Sequence, residues 1–467
     1  MHAIESVQFA APWYVVGWRD AGTIVRIGVP LIFNNLFSIG VAVADTLMAA
    51  TLGATQLAGV AIGSGIWIAL FLLGLGIVMA LGPTVAQHFG AGRHFAIGAD
   101  TRQGLWLALA ISVPIIVAMR GATSVMVWIG VDPTVTVLAQ GYLDALSFGV
   151  PGAYAYHALK QMSEGVGRTV PIMIVMAIAL PLNVLLNYAF MFGRFGAEPL
   201  GAIGCGLGNG ITFWIMFVLL ATHVLRSAHY RPFALASVWE GPARATLLRL
   251  AALGLPIGIS LFLQSGLFTT VALLMGALGT VAVAAHQVAL NYSGLVFMVP
   301  LGLAMALTVC VGQAAGREDF HGAARIGVTG IVLCGALAVV SGTTTLIFAQ
   351  AIADRYSADA DVAALAVKLF RVAAFLHLCD GIQVAAAFAL RGMKDTRVPL
   401  LMNAFSYWAI GFTLAWTLGI GLDHGAVGIW IGLTLALGVA GLLLVARFFW
   451  LTARMRRAGT DAVAADV

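Results

Sequence analysis

Long apolar runs alternate with short polar breaks from residue 25 to residue 451, and each run is about the length needed to cross a bilayer. Twelve runs stand out: 25–50, 57–86, 104–130, 133–157, 169–193, 203–225, 246–275, 281–312, 325–352, 361–390, 399–420 and 426–451. The breaks carry turn chemistry, at Gly53, Asp132-Pro133, Gly193 to Gly206, Gly279, and Gly421 to Gly425. Hydrocarbon tolerates only backbones whose hydrogen bonds close internally, so these runs predict helices. The pattern therefore predicts an all-α polytopic membrane protein with twelve transmembrane helices. An even number of crossings puts both termini on one side.

The pattern also repeats. At an offset of 226 residues, Pro30 matches Pro256, Leu52-Gly53 matches Leu278-Gly279, and Leu75-Gly76 matches Leu301-Gly302. Met79-Ala80-Leu81 and Gln87 match Met305-Ala306-Leu307 and Gln313, giving 14 identities over residues 30–87. Chance in so apolar a chain would give about half of that, so the recurrence of the same punctuation at the same places carries more weight. After a small gap Val170-Pro171 matches Val398-Pro399. The expected organisation is a six-helix lobe over 1–225, a cytoplasmic linker over 226–245, a second six-helix lobe over 246–451 and a cytoplasmic tail over 452–467. Six crossings per repeat make the lobes parallel, related by a pseudo-twofold axis along the membrane normal. That architecture predicts a central cleft that opens alternately to either side.

Composition sharpens the class. Of 467 residues 61% are hydrophobic, and only 24 basic and 19 acidic residues carry formal charge. A soluble domain has roughly a quarter of its residues charged, so water cannot be the only solvent. With the N-terminus inside, inner segments hold 19 of the Lys and Arg residues and outer loops hold only Arg120, Arg194 and Arg355, while Lys368 and Arg371 remain within a span. Positive charge stays cytoplasmic, which predicts cytoplasmic termini. The net charge of +5 comes from those inner loops and points to no nucleic-acid partner. Trp13, Tyr14 and Trp18 suit an interfacial segment before the first span, and no cleavable signal peptide stands out. The four cysteines form no CxxC pair, and there is no phosphate loop, HExxH or potassium-filter motif. No cofactor is expected, and no nucleophile, base and orienting group assemble to suggest an enzyme.

Ionisable and amide side chains inside spans are costly, so each is a functional candidate. Asp45 lies in the first span, where an acid in hydrocarbon is poised to bind a proton or a cation. Asn183 and Asn187 sit four apart on one face of the fifth span and offer amide oxygens suited to Na⁺, or serve as packing glue. With Asp45 they form the candidate Na⁺ site of the first lobe. Asp380 sits mid-way along the tenth span, with Gln383 one turn on. Arg371 is nine residues away, about 13 Å along one helix and too far for a direct pair. Asp144, Gln264, His286, Gln287 and Asn291 are the remaining polar candidates for the cleft. Trp67, Phe71, Phe262, Phe268, Phe297 and Met298 could line it for flat apolar cations, or be ordinary core and lipid-facing groups.

At these residues the sequence resembles the multidrug and toxic compound extrusion (MATE) transporters, in particular their NorM branch. The segments that carry the resemblance are VADTLMAATLGATQLAGVAIG (43–63), MALGPTVAQHFGAGR (79–93), GAIGCGLGNGITFWIM (201–216), VAAHQVALNYSGLVFMVPLGLAMALTVCVG (283–312) and CDGIQVAAAFALRGMKDTRVP (379–399). The resemblance implies two pseudo-symmetric six-helix lobes around a central cleft. It also implies efflux of varied amphipathic, often cationic drugs and dyes, coupled to inward Na⁺ or H⁺, by a functional monomer in a bacterial inner membrane. The family's first-span acid falls on Asp45, its fifth-span asparagines on Asn183 and Asn187, and its tenth-span acid on Asp380. Related Na⁺-coupled members carry a seventh-span glutamate, where this chain reads Gln264, which can coordinate but cannot titrate. The alternative is a flippase for lipid-linked precursors, which would need a strongly basic cleft.

Overall fold

The structure, a computed structural model, describes residues 16–196, 198–236 and 240–465, with side chains up to residue 457. Trp13 and Tyr14 lie outside the described residues, and Trp18 opens the first helix largely exposed. Among the described residues the fold is helical throughout. The first half comprises α1 (Trp18–Thr51), α2 (Ala54–Met79), α3 (Leu81–Gly90), α4 (His94–Arg120), α5 (Ala122–Ile129), α6 (Pro133–Ser147), α7 (Val150–Gly165), α8 (Val170–Phe192) and α9 (Ala202–Arg226). A tight turn over Ala228–Phe233 leads to the second half: α10 (Arg244–Ala277), α11 (Thr280–Gly316), α12 (Phe320–Tyr356), α13 (Ala360–Gly392), α14 (Arg397–Ala404), α15 (Thr413–Trp416) and α16 (Gly425–Ala465). Wide π-helical turns over Phe405–Phe412 and Thr417–Gly421 make α14, α15 and their flanks one crossing.

Among the described residues eleven helical segments are individually long and apolar enough to cross a membrane. The crossing expected at 133–157 differs, because it is split into α6 and α7 and runs on to Gly165. Pro151 is the cause: it has no N–H to offer the Ser147 carbonyl one turn back, so the helix restarts at Phe148-Gly149. Likewise the run expected at 104–130 starts ten residues earlier at His94 and ends at Arg120, with α5 separate. Polar residues such as Asp100, Arg102 and Gln103 conceal that extension in the hydropathy pattern. In the structure they are buried on neighbours: Arg102 donates to Glu240 at 2.8 Å and to the Ala234 carbonyl at 3.0 Å, and Gln103 holds Gly241 and Ala243. The stretch between the halves is thereby pinned to α4. Gly53 and Gly279, which begin α2 and α11, have φ of 105° and 103°, a conformation that side chains strain to adopt.

The contacts that join the halves gather at the end carrying both termini, and they come in pairs related by the sequence repeat. Gly76 packs on the backbone of Gly258, and its counterpart Gly302 packs on Ile32. Gly254 meets Ile77 as Gly28 meets Leu303, and Gly90 meets Gln313 as Gly316 meets Gln87. Gln87 Nε2 donates to the Gly392 carbonyl and Gln313 Nε2 to the Gly165 carbonyl, both at 2.9 Å. Arg249–Asp100 at 2.7 Å and Arg325–Asp20 at 2.8 Å complete the seam, with acid and base exchanged between the repeats. Such reciprocity is what a pseudo-twofold axis between two lobes requires. Toward the other end the repeat mates Leu47 and Leu273 are 63% and 71% exposed, so the seam does not continue there.

Candidate functional site

Three helices of the first lobe converge on Asp45. α1 supplies the acid, α8 supplies Asn183 and Asn187, and α9 supplies Asn209 and Thr212. Asn187 Nδ2 donates to Asp45 Oδ1 at 2.6 Å, and Asn209 Nδ2 donates to Oδ2 at 2.8 Å. Behind them Asn183 Nδ2 donates to Asn209 Oδ1 at 2.7 Å, and Asn187 Nδ2 also reaches Asn183 Oδ1 at 3.2 Å. Both carboxylate oxygens thus accept from an amide, the arrangement that suits an ionised acid. Asn183 and Asn187 are fully buried while Asp45 is half-buried, so the acid is the more accessible member of the cluster.

Local sequence explains the convergence. The glycines at 204, 206, 208 and 210 let α9 approach its neighbours, and a Cβ on Gly208 would meet the Asn187 amide oxygen. That oxygen, Oδ1, is buried and has no hydrogen-bond partner among the described residues. An orphaned acceptor beside a carboxylate fits a cation or a protonated acid better than it fits packing. Turning the Asn187 amide over would present that oxygen to Asp45.

Asn209 is the member that sequence reasoning missed, although it lies within a segment singled out above. The available signal was its spacing from Cys205 and Thr212, four and three residues, which puts three polar groups on one face of a glycine-rich helix. Removing its amide takes the amide donor from Asp45 Oδ2 and leaves Asn183 Nδ2 only its longer bond to Thr212 Oγ1 at 3.4 Å. Asn209→Ala is therefore expected to lower stability by on the order of 1–3 kcal/mol, seen as an earlier melting midpoint in detergent. Asp144→Asn, at an exposed position, should leave the midpoint unchanged.

The other candidates do not join this cluster. Asp144 is exposed on α6 and accepts from Gln140 at 2.9 Å. Asp380 belongs to a separate buried site in the second lobe, 7% exposed, with no ion pair among the described residues and its Oδ1 unpartnered. Nearby, Gln383 Nε2 donates to the Tyr407 hydroxyl at 3.0 Å. His377, one turn before Asp380 and also buried, has neither ring nitrogen partnered. Tyr407 and His377 were not read from the sequence.

His286, expected to face the cleft, is a core residue: it is 1% exposed, and Trp430 Nε1 donates to its Nδ1 at 3.2 Å. Gln287 and Asn291 are exposed and paired with each other at 3.2 Å. Gln264 is half-buried on α10. Trp67 and Phe71 pack into an aromatic cluster with Tyr154 inside the first lobe, not along an open wall.

Comparison with known proteins identifies the family. The family model MatE matches residues 30–189 and 256–417, and the two matches begin 226 residues apart, at Pro30 and Pro256. Multidrug resistance protein MdtK of Yersinia pseudotuberculosis serotype O:1b (strain IP 31758) is 36% identical over 438 residues, covering 92% of this chain and 96% of that protein. Among solved structures, a MATE protein in the bent conformation superposes with a TM-score of 0.86 at 18% identity, covering 96% of this chain and 98% of that one. The Vibrio cholerae MATE transporter VcmN in its bent form gives 0.83 at 17% identity, with 94% and 98% covered. Those two likenesses concern the fold, whereas the matched family model spans both lobes. The chain is a multi-pass membrane protein and belongs to the MatE family of MATE transporters.

Proposed function

We propose that the protein is a cation-coupled multidrug efflux antiporter of a bacterial inner membrane, with both termini cytoplasmic, exporting amphipathic and often cationic compounds by alternating access. The observation that carries this reading is Asp45, held by Asn187 and Asn209 within a span and accompanied by the orphaned Asn187 oxygen. The similarity over most of the chain to a protein named for multidrug resistance supports the substrate class.

In this reading the seam between the lobes seals the cytoplasmic end, and the structure represents an outward-facing state. A proton or Na⁺ reaching Asp45 cancels its charge. The two amide donors then lose their ionic acceptor, and the Asn187 amide turns its free oxygen toward the bound cation. α1 repacks, and the substrate-binding surface beside it changes. Coupling needs only that drug and cation prefer different states. Asp380 supplies a second intramembrane acid whose ligand is drug or ion. Both lobes and the cleft belong to one chain, so a monomer suffices. The flippase alternative gains nothing from the geometry, because Lys368 and Arg371 are exposed on α13 and line no basic cleft.

The test is ethidium uptake into inverted vesicles, with an outward-directed Na⁺ gradient and an acidic interior imposed separately. At least one gradient is expected to drive uptake. Na⁺ alone would place sodium in the first lobe despite Gln264, and pH alone would make Asp45 a proton site. Uptake under neither gradient would overturn antiport.

A further inference from the structure

A lateral groove of about 690 Å³ opens at the end of the first lobe that carries the termini. Its mouth holds Arg26 of α1, Arg168 just before α8, His223 of α9 and His229 of the following turn, all exposed. No carboxylate lines it among the described residues. Arg168 Nη2 donates to His229 Nδ1 at 3.2 Å, so the imidazole proton sits on Nε2 and remains a free donor. Below the mouth Val170, Ile174 and Ile178 form an apolar strip, 46–49% exposed, at four-residue spacing along α8. Eight residues of helix make that strip about 12 Å long.

The second lobe provides an internal control. Thr169 Oγ1 donates to the Ile27 carbonyl at 2.9 Å, and Thr396, three residues before Pro399, makes the analogous bond to the Leu253 carbonyl at 3.0 Å. The residue before each threonine differs. In the second lobe it is Asp395, neutralised by Arg447 at 2.7 Å. In the first lobe it is Arg168, which has no acid partner, and Arg26 one helix away has none either among the described residues. The first corner thus carries unpaired positive charge at Arg26 and Arg168 where the second carries the Asp395–Arg447 pair.

We propose that this groove binds the phosphate headgroup of an anionic phospholipid, with Arg26, Arg168 and the two histidines on the phosphate and an acyl chain along Val170, Ile174 and Ile178. Basic pockets between membrane helices recognise such headgroups by charge, and the apolar strip separates a lipid from a soluble anion. The leaflet follows the orientation proposed above, whereas the chemistry of the groove does not depend on transport.

The experiment is native mass spectrometry of the detergent-solubilised full-length protein titrated with phosphatidylglycerol, phosphatidylcholine or inorganic phosphate. Phosphatidylglycerol is expected to bind and phosphatidylcholine to bind weakly. Each arginine near an anionic lipid contributes roughly a fivefold change in affinity, so Arg26→Gln with Arg168→Gln should weaken phosphatidylglycerol about twenty-fivefold. Arg120→Gln, exposed at the other end, should change nothing. Ile174→Trp fills the groove without altering charge and should also weaken the lipid, which separates loss of the site from loss of the fold. Unchanged phosphatidylglycerol affinity in the double variant would overturn the proposal. So would competition by inorganic phosphate at equal concentration, which would make the groove a site for a soluble anion.

Discussion

Replacing Asp45 with asparagine is expected to abolish drug efflux under both Na⁺ and pH gradients while leaving expression and the size-exclusion profile normal. The substitution preserves shape and volume. Its amide can still accept from one of Asn187 and Asn209, which hold the acid at 2.6 and 2.8 Å, and can avoid a clash with the other by an amide turn. What disappears is the charge. The variant mimics permanent protonation, so neither cation can change the preference of the lobes. One charge moving down the membrane potential supplies about 2.3 kcal/mol per 100 mV, equivalent to roughly a fortyfold concentration ratio of substrate. Loss of that drive should return vesicle accumulation to background. Wild-type accumulation in the variant would remove Asp45 from the coupling mechanism and leave Asp380 as the remaining acid to test.

The membrane class, the helical architecture and the twofold repeat were legible because each follows from long-period patterns. Apolar runs of bilayer length report crossings, and the Pro30/Pro256 and Leu75-Gly76/Leu301-Gly302 matches report the axis on which the lobes later meet. The first-lobe acid and its α8 asparagines were legible because polar groups stand out against hydrocarbon. Asn209 did not stand out, because glycines surround it and what gives it meaning is the close approach of α9 to α8, a tertiary fact. The direction of a side chain was equally hidden. His286 and Gln287 are adjacent in sequence, yet one is sealed against Trp430 and the other is exposed, since successive helical residues point about 100° apart. Helix ends beyond the apolar runs were missed where polar residues continue the helix into contacts with other segments, as Arg102 and Gln103 do.

Gly76→Val is expected to cut transport at least tenfold without unfolding the protein, and Gly302→Val should do the same from the other side of the axis. At both places two backbones touch. A Cβ on Gly76 would overlap Gly258, and one on Gly302 would overlap Ile32. Neither contact can yield by moving a flexible side chain. Forcing extra methyl groups into such a seam costs about 1–3 kcal/mol. The closed seam has little surplus to absorb that. Its two ion pairs are partly exposed, with Arg249 59% and Arg325 33% accessible, and such pairs contribute about 0–1 kcal/mol each. At its centre a cavity of about 20 Å³, room for one water, is lined by Glu164 from the first lobe and Arg391 from the second. Glu164 Oε1 is paired with Lys160 Nζ at 3.6 Å, but Arg391 Nη1 is buried there without a hydrogen-bond partner among the described residues, which opposes closure further. A penalty of 1–3 kcal/mol shifts a two-state equilibrium by roughly 5- to 150-fold, so the valine variants should populate the state that is open at the terminal end. Cys310 reports this directly. It is 6% exposed and packed with Ile24 and Ile27 of the other lobe. Its rate of maleimide labelling should rise in both variants in step with the loss of transport. Slow labelling together with lost transport would mean that the seam stays shut and that the glycines serve some purpose other than gating.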